Sequence, residues 1–150
     1  MRIAKHVAGL IAAVAASVGL LLTAALPASA ATAADARPCV DAGFDRQPPG
    51  WNPAPAHWCP DWSPRSDGRI PVYFNPDHTS SVQGYLNRTG DRTNWYMCWF
   101  PGTELHLGGY YNDAWAYTMA DNGQWGYVNQ VYFKGGGNNE HDPGLPPCPS

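Results

Sequence analysis

Four histidines follow position 30, His57, His78, His106 and His141, each isolated in a loop-like or turn-like setting. A histidine works as a base or a metal ligand only beside a positioned partner. None here has the i, i+4 spacing of a helix-borne zinc pair. The carboxylates Asp61, Asp67, Asp77, Asp91, Asp113 and Asp121 sit where turns want them, capping and bending the backbone. Glycoside hydrolysis needs two carboxylates across a cleft, which a domain this small rarely builds, and no G-x-S-x-G elbow supplies a nucleophile. The acidic run "NNEHD", residues 138–142, has oxygen ligands for calcium but no spaced loop, and reads as a solvated tail. Asn87-Arg88-Thr89 has the form of a glycosylation sequon and reads equally as a turn. The expectation is a chain without catalysis, with no catalytic residue, no metal ligand and no cofactor.

The chemistry the chain does offer is that of aromatic rings. "WAYTMADNGQWGYV", residues 115–128, sets two runs of rings and small residues on either side of Asp-Asn-Gly. A two-residue type I′ turn at Asn122-Gly123 would set Ala120 opposite Trp125, Met119 opposite Gly126, Thr118 opposite Tyr127 and Tyr117 opposite Val128. Side chains alternate faces in a strand. This register predicts an inward set, Trp115, Tyr117, Met119 and Val128. It predicts an opposite face on which Trp125 and Tyr127 lie over Ala116, Thr118 and Ala120. A slip of one residue would exchange the two sets. Trp125 and Tyr127, with Tyr110 and Tyr111, are the expected ligand-binding residues.

The elements that must position these rings follow from punctuation. Arg2, Lys5 and His6 precede an apolar run over 7–26, and Ala28-Ser29-Ala30 closes it with a small-x-small pattern, which predicts a secretory signal peptide over 1–30. Beyond it stand seven of the nine basic residues and all twelve acidic ones, a formal charge of −5 that excludes a basic surface for nucleic acid. No membrane span is expected after cleavage, and about 120 residues make one domain, expected to be a monomer.

Cys39, Cys59, Cys98 and Cys148 are an even set in an exported chain, which predicts two disulfides. Three connectivities are open. Cys39 and Cys59 bracket one Pro-rich loop, which favours 39 with 59 and 98 with 148. Residues 31–68 are dense in proline and tryptophan and predict an irregular, extended arm, with Trp51, Trp58 and Trp62 laid on the domain. Over 69–134 short β segments alternate with turns: "RIPVYF", "SVQGYL", "TNWYMCWF", then a break at "PGTE". The fold class is all-β, a small sandwich or barrel. Residues 135–150 read as a flexible glycine run and a proline tail pinned by Cys148.

The succession "IPVYFNPDHTSSVQGYL", "NWYMCWFPGTEL" and "AWAYTMADNGQWGYVNQVYF" resembles bacterial SH3-like domains, most specifically in "W-G-Y-V-x-x-x-Y". The likeness spans about Arg69 to Phe133 and, with the extra cysteines and the Pro-rich arm, is similar to small secreted actinobacterial proteins of unassigned function. It implies a five-stranded SH3-like barrel with a short helical turn after the last tryptophan strand, and binding of cell-wall peptide or glycan. The family's first-loop pattern "N-[VIL]-R-x-G-P" is here "PVYFNP", without its arginine and glycine. The expectation is a secreted protein, extracellular or wall-associated, that binds envelope peptide or glycan through exposed aromatics. The second reading is a protein-interaction or inhibitor module that presents its arm or tail to a secreted protein.

Overall fold

A computed structural model describes residues 37–149. The expected signal peptide lies outside the described residues. Eight strands run in order: β1 (Val40–Arg46), β2 (Ala54–Trp58), β3 (Ile70–Tyr73), β4 (Val82–Leu86), β5 (Trp95–Tyr96), β6 (Trp99–Leu107), β7 (Tyr110–Met119) and β8 (Trp125–Asn129). A single 3-10 turn, Gln130–Tyr132, follows β8, capped by the Asn129 side chain accepting from the Val131 N–H. The described chain is all-β. Its strands form two antiparallel sheets, β1-β2-β5 and β4-β3-β8-β7-β6, and neither closes.

The chain from Trp95 to Leu107 serves both sheets. Its first residues pair with β2, and its later ones pair with β7. At the joint the Met97 N–H donates to the Tyr117 carbonyl, and the Tyr117 N–H donates to the Cys98 carbonyl. Ile70, Val72, Leu86, Tyr96, Val128 and Leu145 belong to the core that fills beneath. The disulfides join Cys39 to Cys59 and Cys98 to Cys148, and they are compatible with an oxidising extracellular compartment.

Three expectations about elements are corrected. Residues 37–68 are not irregular throughout, because β1 and β2 pair within them and β2 is the central strand of its sheet. Proline is tolerated there because β5 reaches only His57 and Trp58, so the missing N–H of Pro55 leaves no bond to β5 unmade. "PGTE" is not a break between strands. β6 runs through it as the edge strand, where a proline needs no outer partner, and the register shifts between Pro101 and Leu105. The turn lies instead at Gly108-Gly109, between Leu107 and its partner Tyr110.

The tail is anchored at a few residues, while residues 138–141 are exposed as expected. Asp142 is fully buried, its Oδ1 accepts from the Cys39 and Gly144 N–H groups, and its own N–H donates to Gln130 Oε1. Leu145 is buried beside it, and the His141 ring stacks on Trp99 at 4.3 Å. Among the described residues no helix is long and apolar enough to cross a membrane.

Candidate functional site

The β7–β8 hairpin sets the rings, and its register differs from the one expected. Met119 faces Trp125, Thr118 faces Gly126, Tyr117 faces Tyr127 and Ala116 faces Val128. The loop has three residues, Asp121-Asn122-Gly123. The Gly123 N–H donates to the Ala120 carbonyl, and Gly123 alone takes a positive φ, 84°. A type I′ turn would need positive φ at Asn122 as well.

That one-residue difference redistributes the faces. The inner face carries Ala114, Ala116, Thr118, Ala120, Gly126 and Val128, all buried. Tyr117, Met119, Trp125 and Tyr127 share the outer face, each partly buried. Trp115 is on that outer side and yet fully buried, under the bulge of β6, with its indole N–H donating to the Thr103 carbonyl at 2.8 Å. Tyr117 and Met119 therefore leave the expected core set, and Trp125 and Tyr127 lie among aromatic neighbours rather than over alanines.

The outer rings form one connected surface centred on Tyr117. Tyr117 stacks on Trp125 at 5.5 Å and 25°, and its ring stands 4.9 Å from Tyr127. Trp51, from the β1–β2 loop, also stacks on Tyr117, at 5.1 Å and 28°. Trp95 meets the edge of Trp125, and Phe100 meets that of Tyr127. Residues 37–68 thus cover Tyr117 through Trp51, while Trp125 meets Trp95 of β5 and Tyr127 meets Phe100 of β6. Burial raises the phenol pKa values of both Tyr117 and Tyr127, so neither phenol is charged at neutral pH. The formal charge beside the rings is that of Arg46, whose guanidinium lies over Trp95.

Tyr110 and Tyr111 do not join this surface. Seven residues separate Tyr110 from Tyr117 along β7, about 24 Å of extended chain. Tyr110 is exposed and meets the Trp62 edge at 5.4 Å, while Tyr111 stacks on His106 at 5.2 Å. Trp51, Trp95, Phe100 and Tyr117 are the surface residues that sequence reasoning did not select. For Tyr117 the signal was the Asp-Asn-Gly triplet, which fits a three-residue hairpin loop with glycine in the left-handed position. No local signal marks Trp51, Trp95 or Phe100, which reach the surface from other elements.

Where Trp51 leaves Tyr117 it forms one wall of a cleft of about 690 Å³. Met97 and Cys98 also line it, and the tail prolines Pro146 and Pro147 form part of the wall. Asp41 and His57, cross-strand partners on β1 and β2, line it too.

Two carboxylates are hubs rather than turn residues. Asp61 accepts from the Gly90 N–H, Asn94 Nδ2 and the Tyr96 hydroxyl at 2.8, 2.8 and 2.9 Å. Burial raises its pKa against those three bonds, and burial together with the Asp61 charge holds the Tyr96 phenol well above its ordinary value. Asp142 is likewise raised by burial. His57 and His106 lie in strands, not loops. Among the described residues no three His, Cys, Asp or Glu side chains converge on a metal-sized site.

Fold and site together define a disulfide-braced, aromatic-rich all-β protein. No protein-family model, no curated protein and no solved structure matches the chain.

Proposed function

We propose that this is a secreted, non-catalytic binding module that takes cell-envelope peptide or glycan on the outer face of its β7–β8 hairpin. The observation that carries the reading is the connected set of rings around Tyr117, partly open to solvent on a rigid sheet. Aromatic rings offer flat area to sugar and peptide faces at a low cost in side-chain entropy. The rings carry no charge of their own, which suits a neutral or zwitterionic ligand.

An SH3-like architecture belongs to the same proposal. Its support is the five-stranded antiparallel sheet with the meander β6-β7-β8 and the 3-10 turn after the tryptophan strand.

Co-sedimentation with purified cell-wall sacculi tests the reading. The wild type is retained, and Trp125→Ala and Tyr127→Ala each weaken retention about ten-fold, the loss of one stacked ring worth about 1.4 kcal/mol. Failure of the wild type to sediment overturns it.

A further inference from the structure

The cleft beside Trp51 has a chemistry of its own and shares Trp51 with the outer face. Its volume, about 690 Å³, falls within the range of ligand sites, roughly 300 to 1,000 Å³. Five of its thirteen lining residues are prolines, so much of its wall brings carbonyl acceptors and no backbone N–H donor. The Asp41 carboxylate adds a formal negative charge. Among the described residues no lysine or arginine lines it to answer that charge.

The wall also offers the Trp51 ring and the Met97 side chain, the surfaces that an aliphatic stem and a cation over an aromatic face would use. Elsewhere the chain's own arginines occupy such ring faces. Arg46 lies over Phe44 and Trp95, and Arg69 lies over Tyr85. No such intramolecular cation is found over Trp51 among the described residues.

The geometry points to a site for a peptide that carries a primary ammonium on an aliphatic stem, as a lysine side chain does. The stem lies along Met97 and the prolines, and the ammonium is held between the Asp41 carboxylate and the Trp51 face. The inference stands without the outer-face proposal, since neither Trp125 nor Tyr127 lines the cleft.

The test compares Nα-acetyl-lysine methylamide with the near-isosteric neutral Nα-acetyl-norleucine methylamide. Binding is followed by calorimetry and by the amide resonances of Ala54, His57, Met97 and Cys98. The lysine compound is expected to bind at least ten-fold more tightly and to shift those four resonances. Asp41→Asn erases the preference, and its amide oxygen can still accept from the Gly43 N–H, so the turn that Asp41 braces keeps its bond. Tyr127→Ala leaves the preference intact, which separates this site from the outer face. Equal binding of the two compounds, shifts confined to residues outside the cleft, or a preference that survives Asp41→Asn each overturns the inference.

Discussion

Tyr117 and Tyr127 stand directly opposite each other on the β7–β8 ladder, ring centroids 4.9 Å apart, and Trp51 stacks on Tyr117 at 5.1 Å. Directly opposed aromatic pairs couple by about 0.5 to 1.5 kcal/mol beyond their area. A double-mutant cycle on Tyr117→Ala and Tyr127→Ala, read by urea denaturation, is expected to give a coupling of about 1 kcal/mol. Tyr117→Ala also strips Trp51 of its partner, so it is the more costly single change. Additivity within a few tenths of a kcal/mol would show that the rings share a face without interacting.

Two glycines separate turn strain from steric contact. A Cβ at Gly123 meets nothing within 4 Å, and only its φ of 84° resists a side chain, so Gly123→Ala costs about 1 to 2 kcal/mol. A Cβ at Gly126 would lie 2.3 Å from the Tyr73 carbonyl, where the single β3–β8 pairing, Tyr73 with Tyr127, holds the sheet together. Gly126→Ala is expected to cost about 3 kcal/mol and to detach β3, seen as faster amide exchange in β3 and β8. Similar losses in the two variants would contradict the tight β3–β8 contact.

The hairpin itself was legible in the sequence, because Asn-Gly between two alternating runs signals a reversal whatever its length. Its register was not, because a two-residue and a three-residue loop over the same triplet differ by one position, and one position exchanges the faces of every residue. The loop that Cys39 and Cys59 bracket favours one disulfide pairing but leaves three connectivities open, and the structure joins Cys39 to Cys59 and Cys98 to Cys148. The strands at Pro55 and Pro101 were hidden because proline forbids a strand only where a neighbour needs its N–H. That need is set by which strands lie alongside, a tertiary fact. Asp61 resembled a turn residue because its donors lie 29 to 35 positions away, and Asp142 shows locally only its turn-like bond from the Gly144 N–H, while the Cys39 donor that buries it lies 103 positions away.

Asp61 gathers three donors into a buried site, and its loss leaves the Tyr96 hydroxyl without its acceptor in a fully buried position. Asp61→Ala is expected to destabilise by about 3 to 5 kcal/mol. Asp61→Asn keeps one acceptor oxygen and removes the buried charge, so it costs less. If alanine and asparagine prove equally costly, the hydrogen bonds are not what the site contributes.

The two disulfides close loops of different length, with separations of 20 and 50 residues. In the chain-entropy account they contribute about 3 and about 4 kcal/mol respectively. Replacing Cys98 and Cys148 by alanine is therefore expected to lower the denaturation midpoint more than replacing Cys39 and Cys59. It also releases the tail prolines from the cleft wall and weakens lysine-compound binding at least ten-fold. A tail that still completes the cleft without its bridge, held by the Trp99 and Cys148 backbone bonds alone, would show as unchanged binding.

The pH dependence of stability distinguishes buried from exposed carboxyls. Burial raises Asp61 and Asp142 above their unfolded value of 3.8, so across that window the folded protein holds more protons than the unfolded chain. Their contribution is fully present below 3.8 and is lost as pH rises through the raised values. Asp67, Asp77 and Glu104 are lowered by hydrogen bonds from Arg65, the Thr79 N–H and Asn139, so their contribution runs the other way and is lost as pH falls. These three are accessible to solvent, which screens their effect. Asp142→Asn removes one buried titration and leaves the exposed ones in place. Melting temperatures of the variant and the wild type, measured from about pH 3.5 to 7, should then diverge in favour of asparagine as pH rises through the raised Asp142 value and run parallel above it, whatever constant offset the amide introduces. Parallel curves throughout would mean that the hydrogen bonds from the Cys39 and Gly144 N–H groups offset burial and Asp142 binds its proton equally in the folded and unfolded chains, contrary to this prediction.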